Sequence, residues 1–271
     1  MQPEYIFGRI ILPSLMSKLA AQDKFLDLSD YGRPFAKIFA NSLKNTRFTP
    51  IHVTLLFGVV GIIASFCILK NHYYWAGFFL ILKSIIDAAD GELSRVKNTP
   101  SYSGRYLDSI FDIILNFIFL MCICYVSHST LLLTLLAFIA VQLQGTLYNY
   151  YYVILRNNSV GGDMTSKIFE HQSPKAFPNE TQKSVDVLFA IFFALYHIFD
   201  KTIHFFDKNA CESIKFPNWF MTFVSMYGLG FQLLIIATML SLNLVEYIIP
   251  FFIAYSIFMV VLIGIRKSCF E

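Results

Sequence analysis

Four aspartates, Asp87, Asp90, Asp108 and Asp112, stand close together in a chain in which only 14% of residues are charged. Asp87 and Asp90 are three apart and Asp108 and Asp112 four apart, so on helices each pair lies on one face. Carboxylates gathered this closely repel one another, and a cation is the simplest compensation. Ligation by oxygen alone suits Mg²⁺, Mn²⁺ or Ca²⁺ and not zinc. One or two such ions bridging phosphate oxygens would be the natural use. Gly91 and Gly104 remove side chains where a backbone approaches a bulky ligand, and Arg95, Lys97 and Arg105 supply charge suited to phosphate. A single Asp would read as the marked end of a helix. Two helix-spaced pairs, with two glycines and an arginine between them, read as a site.

The elements that must position these residues are apolar. Of the 271 residues, 56% are hydrophobic and 17% aromatic, with 29 Phe and a mean hydropathy of +0.58. A soluble domain carries roughly 25% charged residues, so a disordered chain, a nucleic-acid binder and an ordinary cytosolic enzyme are excluded. Apolar runs over 51–70, 73–93, 106–127, 130–155, 219–241 and 244–265 each approach the roughly 20 residues a bilayer needs. The fold expected is an all-α integral membrane protein of six transmembrane helices. Thr49-Pro50 is a start signal for the first, Thr as cap and Pro at the first helical position.

Residues 1–48 form a cytoplasmic lead-in, in which Pro34 to Leu43 reads as an interfacial helix and no cleavable leader is evident. Residues 49–155 hold the first four spans, 156–218 a cytoplasmic insertion, and 219–271 the last two spans with a short tail. The insertion carries the loop signals Asn157-Asn158, Gly161-Gly162-Asp163, Pro174, Pro178 and Pro217. Within it, 184–206 is apolar on one side and bears Asp186, His197, Asp200, Lys201 and His204, which reads as an amphipathic helix lying at the interface. With a cytoplasmic N-terminus, every Lys and Arg except Lys70 and Lys83 falls on the cytoplasmic side, as basic residues do.

Other polar residues sit in apolar helices, where they are functional candidates by default. Lys83 lies one turn before Asp87 and reads either as its ion-pair partner or as a substrate contact. Gln142, Gly145, Asn149, Tyr152 and Arg156 form one polar stripe in the fourth span. It serves either interhelical hydrogen bonds or the wall of a polar acceptor pocket. Asn116, one turn beyond Asp112, has the same two readings. His171, His197 and His204 show no ligand spacing and read as interfacial. The five cysteines read as small core hydrophobes.

Asp87-Ala-Ala-Asp90-Gly91-Glu-Leu-Ser94-Arg95, eight residues, then Gly104-Arg-Tyr-Leu-Asp108-Ser-Ile-Phe-Asp112 resembles the signature of the CDP-alcohol phosphotransferases, also called CDP-alcohol phosphatidyltransferases. That signature is D-x-x-D-G-x-x-A-R, eight residues, G-x-x-x-D-x-x-x-D, and the one departure is Ser94 in place of Ala. Upstream, Thr49-Pro50-Ile51-His52-Val53-Thr54 is similar to the family's T-P-N-x-V-T, with Ile51 where Asn is usual. The similarity covers roughly residues 30–155.

The resemblance implies an enzyme of phospholipid biosynthesis that binds a CDP-linked donor at the cytoplasmic interface, transfers a phosphoalcohol group to an acceptor hydroxyl and releases CMP. It implies Mg²⁺ or Mn²⁺, as two ions, held by Asp87, Asp90, Asp108 and Asp112, with Asp112 also the general base. Asp87, Asp90, Gly91, Ser94, Arg95, Gly104 and Asp108 would line the nucleotide site. Lys83, Arg105, Asn116, Gln142, Asn149 and Arg156 are the candidates for the acceptor side. The donor expected is CDP-diacylglycerol, with an uncharged or zwitterionic alcohol as acceptor; the alternative is a CDP-linked polar headgroup given to a lipid alcohol. The motif's form points to a prokaryotic plasma membrane, membrane lipid is an implied partner, and family members are often homodimers. The non-enzyme alternative is a membrane transporter with an Asp-rich cation site.

Overall fold

The structure is a computed structural model that describes residue 19 and residues 23–158, 170–213 and 215–269. The expected Gly161-Gly162-Asp163 loop and most of the N-terminal lead-in lie outside the described residues. Those that are described form helices joined by turns: α1 (Arg33–Leu43), α2 (Pro50–Leu69), α3 (Tyr73–Lys97), α4 (Tyr102–Ser127), α5 (Leu131–Asn158), α6 (Gln182–Phe206), α7 (Asn218–Ser225), α8 (Leu229–Ser241) and α9 (Val245–Cys269).

Local chemistry sets the boundaries. Thr49 caps α2 by accepting from the His52 amide, the His52 ring accepts in return from the Thr49 amide, and Pro50 fills the first helical position. Ser101 and Thr181 cap α4 and α6 in the same way. Asn71, Asn98, His128 and Asn243 each take a positive φ at the turn that ends a helix, the conformation in which a short polar side chain costs least. Three of these turns make the short connections at 70–72, 127–129 and 241–243.

Two features differ from the sequence reading. The run 219–241 is not one straight helix but two, α7 and α8, bent by 48°. The cause is the turn Leu28–Asp30, which enters the break: the Leu28 amide donates to Ser225 Oγ at 2.9 Å. A Cβ on Gly228 or Gly230 would stand 2.3 or 2.0 Å from Ser29 atoms, so only glycine admits that turn. Second, the helices long and apolar enough to cross a membrane are α2, α4, α5, α6 and α9, or six if α7 and α8 count as one bent span. The α6 helix joins this set, whereas α3, which carries Lys83, Asp87 and Asp90, does not. The set is consistent with a multi-pass membrane protein.

α3 is the hub. It packs against α1, α2 and α8 and is tied to α4 by the Lys83–Asp112 ion pair. Ala36 and Ala40 of α1 are buried on it, while Phe35 and Ile38 of α1 face outward. α5 and α9 run parallel: Gln144 donates to the Phe252 carbonyl at 3.0 Å and to Ser256 Oγ at 2.9 Å.

α6 packs against both α4 and α5. Its preceding residue but one, Glu180, bonds the start of α4. Its C-terminal neighbour Asp207 accepts from Tyr151 near the end of α5 (2.6 Å) and from Arg266 Nε near the end of α9 (2.8 Å). Both ends of α6 therefore contact the same end of the bundle. Val187, Ile191, Ile198 and Phe205 on its outward face are exposed.

Asp207 and Arg266 are fully buried, and removing one partner of such a pair typically costs roughly 3–5 kcal/mol. Arg266→Met and Asp207→Leu should each lower the thermal midpoint in detergent sharply. The double variant Asp207→Leu/Arg266→Met should lose clearly less than the sum of the single changes, the mark of direct coupling. Additive losses would show that the pair does not hold α6 to α9.

Candidate active site

The last three turns of α3 and the first three of α4 face each other. Carboxylate oxygens of Asp87, Asp90 and Asp108 lie within 4.8 Å of one another, a set able to hold a metal ion. Among the described residues, Asp108 Oδ1 is buried and has no hydrogen-bond partner. A buried carboxylate oxygen left without a partner is costly unless a cation or donor meets it. The donor set and this orphaned oxygen fit a hard divalent ion.

Asp112 stands beside this set, not in it. Lys83, with a side chain only 1% exposed, donates to Asp87 Oδ2 at 2.8 Å and also to Asp112 Oδ1. Its ammonium lies 4.5 Å from the centre of the Phe57 ring, a cation–π contact from α2. Of the two readings of Lys83, the ion pair is the one present, with a second carboxylate added. Thr54 Oγ1 donates to Asp90 Oδ2 at 2.6 Å and is itself buried, so the first span reaches into the cluster.

Asp87, Asp108 and Asp112 open onto a cavity of about 890 Å³. Its opposite wall is the α5 stripe: Gln142, Gly145, Asn149, Tyr152 and Arg156 all line it, and Asn116 of α4 joins them. Gln142 Nε2 is buried there with no hydrogen-bond partner among the described residues. Arg105 also lines the cavity, neutralised by Glu170 at 2.6 Å and seated 4.6 Å from the Tyr106 ring centre. Lys83 lies behind the carboxylates and is not among the lining residues.

The expected nucleotide residues occupy the α3–α4 corner on another side. Arg95 pairs with Glu92 at 2.9 Å, and Glu92 is shared with Arg33 of α1 at 3.4 Å. A Cβ on Gly91 would meet only the Arg95 guanidinium, at 3.6 Å. Gly104 sits in the first turn of α4, its amide donating to Ser101 Oγ. The Ser94 hydroxyl, where the family signature has Ala, donates to the Thr99 carbonyl at 2.9 Å and so is used in ending α3. Ile51 is exposed on the first turn of α2.

Sequence reasoning missed the α6 wall. Phe192, Tyr196, His197, Asp200, Lys201 and His204 line the cavity together with His171, so the histidines are not merely interfacial. The signal was present: His197, Asp200, Lys201 and His204 recur at helical spacing in an apolar helix, the test already applied to α5. Glu170 and Glu180 carried no signal of their own, since each acts through a contact distant in sequence; Thr54 stood in the upstream motif, but its bond to Asp90 is equally a long-range contact.

Glu180 fastens the insertion to the motif. It accepts from Ser101 Oγ (2.9 Å), the Tyr102 amide (3.1 Å) and the Ser103 amide (2.9 Å) at the start of α4. Burial pushes its carboxyl up, but these donors and the Phe177 amide outweigh burial and hold it below the ordinary carboxylate range.

A family model, CDP-alcohol phosphatidyltransferase, matches residues 47–258. The chain belongs to this family. The match runs through α6 and into α9, well beyond the stretch in which the motif itself is legible. No curated protein matches the chain. The protein is accordingly a transferase of phosphate-containing groups in lipid synthesis, in a family that depends on divalent metal.

Two outcomes follow for the transferase. Thr54→Val should weaken Mn²⁺ binding about 10–100-fold, the usual cost of losing a partner behind a metal ligand. A Mn²⁺ titration showing unchanged affinity would mean that Thr54 does not orient Asp90. Because the Glu180 carboxyl is depressed on folding, its contribution is complete above its unfolded value, about 4.3, and is lost as pH falls through the folded one. Proteolysis of 170–181 should therefore accelerate at acid pH, and Glu180→Gln should give fast cleavage at neutral pH already.

Proposed function

We propose that the transferase moves a phosphatidyl group from CDP-diacylglycerol to the hydroxyl of a polar alcohol and releases CMP. The observation that carries this is the cavity. The carboxylate cluster opens on a large space whose far wall presents carboxamides, hydroxyls and histidines, including the unpartnered Gln142 amide. A polar acceptor suits such a wall, and the lipid then belongs to the donor.

Asp87, Asp90 and Asp108 would hold the divalent ion, which supplies charge neutralisation on the donor diphosphate. Gly91, Ser94, Arg95 and Gly104 are assigned to the nucleotide. The acceptor sits among Asn116, Gln142 and Asn149, with Arg105 and Arg156 toward the mouth. Asp112 takes the proton from the acceptor hydroxyl. That oxygen attacks the phosphorus bearing the lipid, the bond from this phosphorus to the bridging oxygen breaks, and CMP leaves. Lys83 orients the Asp112 carboxylate through a hydrogen bond to one of its oxygens.

α2 to α5, the bent pair α7 and α8, and α9 are read as the six spans, with the motif at the cytoplasmic end where Lys and Arg concentrate. α6 is read as lying at that interface. At 25 residues it spans about 37 Å and could cross a bilayer by length, yet both of its ends touch the same end of the bundle.

Purified protein in detergent with Mn²⁺ should release CMP from CDP-diacylglycerol only when the correct polar alcohol is offered. Asp112→Asn should fold and lose activity about a thousandfold, within the range a general base supplies. Full activity in that variant would remove Asp112 from the mechanism. Release from CDP-choline with diacylglycerol would reverse the assignment of donor and acceptor.

A further inference from the structure

We propose that Lys83 stands in for a second metal ion, so that this transferase works with a single divalent ion held by Asp87, Asp90 and Asp108 while an ammonium holds Asp112. The proposal rests on the reading of the site as a CDP-dependent metal centre.

A two-ion site for phosphoryl transfer places its ions about 3.5–4 Å apart, clamped by carboxylates that face both. Of the four aspartates here, three form the close set, and Asp112 is outside it. A second ion would need Asp112 together with a carboxylate shared with the first ion, and Asp87 is the neighbour that faces it. The Lys83 ammonium occupies that position, bonded to one oxygen of Asp87 at 2.8 Å and to one of Asp112. It is not placed there loosely. Its stem starts one turn before Asp87 on the same helix, its side chain is 1% exposed, and the Phe57 ring covers it at 4.5 Å. Among the described residues its hydrogen bonds go to these two carboxylates. An ion entering between Asp87 and Asp112 would have to drive a buried ammonium off both partners and leave it against an aromatic ring, an arrangement that costs far more than an ordinary lost contact. The three-carboxylate side is different: there Asp108 Oδ1 has no hydrogen-bond partner among the described residues. One side of the cluster is thus built for a metal ion, and the other already carries a covalently attached positive charge.

The charge has two consequences. It never dissociates, so metal dependence should follow a single binding event. It also fixes Asp112 by a hydrogen bond instead of by metal ligation, which leaves the second oxygen of that carboxylate available to the acceptor hydroxyl.

The test uses the full-length protein in detergent, with saturating CDP and Mn²⁺ as the probe, read by equilibrium dialysis and electron paramagnetic resonance. The result expected is one Mn²⁺ per chain with the hyperfine pattern of an isolated ion, and CMP release that rises hyperbolically with Mn²⁺. Lys83→Met should admit a second Mn²⁺ and give a spin-coupled spectrum, whereas Lys83→Arg should keep one. Two coupled ions in the unaltered enzyme would overturn the proposal and leave the proposed reaction standing. So would a Lys83→Met protein that still binds one. If Lys83→Met does not fold, the spectrum of the unaltered enzyme decides alone. Absence of both Mn²⁺ binding and CMP release would remove the metal-centre reading itself and the proposal with it.

Discussion

Four carboxylates meeting between two helices of an apolar bundle set the terms for everything around them. In a low-dielectric interior their mutual repulsion and their lost hydration are both large, and neither is relieved by packing. The surrounding elements are arranged as compensation. α3 contributes Lys83 from its own preceding turn, α2 contributes Thr54 and the face of Phe57, and Asp108 Oδ1 is left for a cation. The helix with the most charge, α3, is packed on several sides, by α1, α2 and α8, which is the arrangement by which a charged helix can sit inside a membrane protein.

The same constraint gives the molecule its polarity along the bundle axis. Charges and hydrogen-bonded pairs collect at one end: Glu170 on Arg105, Glu180 on the first turn of α4, Asp207 on Arg266 and Tyr151, Glu92 between Arg33 and Arg95. Toward the other end the helices are apolar, with exposed side chains such as Leu132, Ile139 and Trp75 that lipid can cover. The insertion is used at the polar end, where its loop is fastened by Glu180 and its helix closes the side of the cavity between α4 and α5. The reaction proposed, between a lipid-linked nucleotide and a water-soluble alcohol, would need a boundary of this kind, apolar outside and polar within.

The helix-forming runs, the two carboxylate pairs and the α5 stripe were legible in the amino-acid sequence because each is a matter of spacing along one helix. Periodicity places Asp87 with Asp90 and Gln142 with Asn149 on common faces whatever the helices pack against. Thr49-Pro50 and the Asn and His turns are equally local, decided by a few neighbouring atoms. The break at 226–228 was not legible in this way. Its glycines were visible, but their use depends on Ser29, a residue about two hundred positions away that must first be brought into contact.

Tertiary structure alone decided which charge neutralises which. Lys83 had one partner within reach along its helix, and only the approach of α4 supplied Asp112 as the second. Arg105 had no acid nearby in sequence, and Glu170 came to it from the insertion. The histidines of α6 became cavity residues because that helix lies across α4 and α5, an orientation fixed by bonds at its two ends to residues of other helices. Spacing along a chain determines what shares a face; pairing across faces is set by packing, and in this protein the chemistry of the site is a matter of pairing.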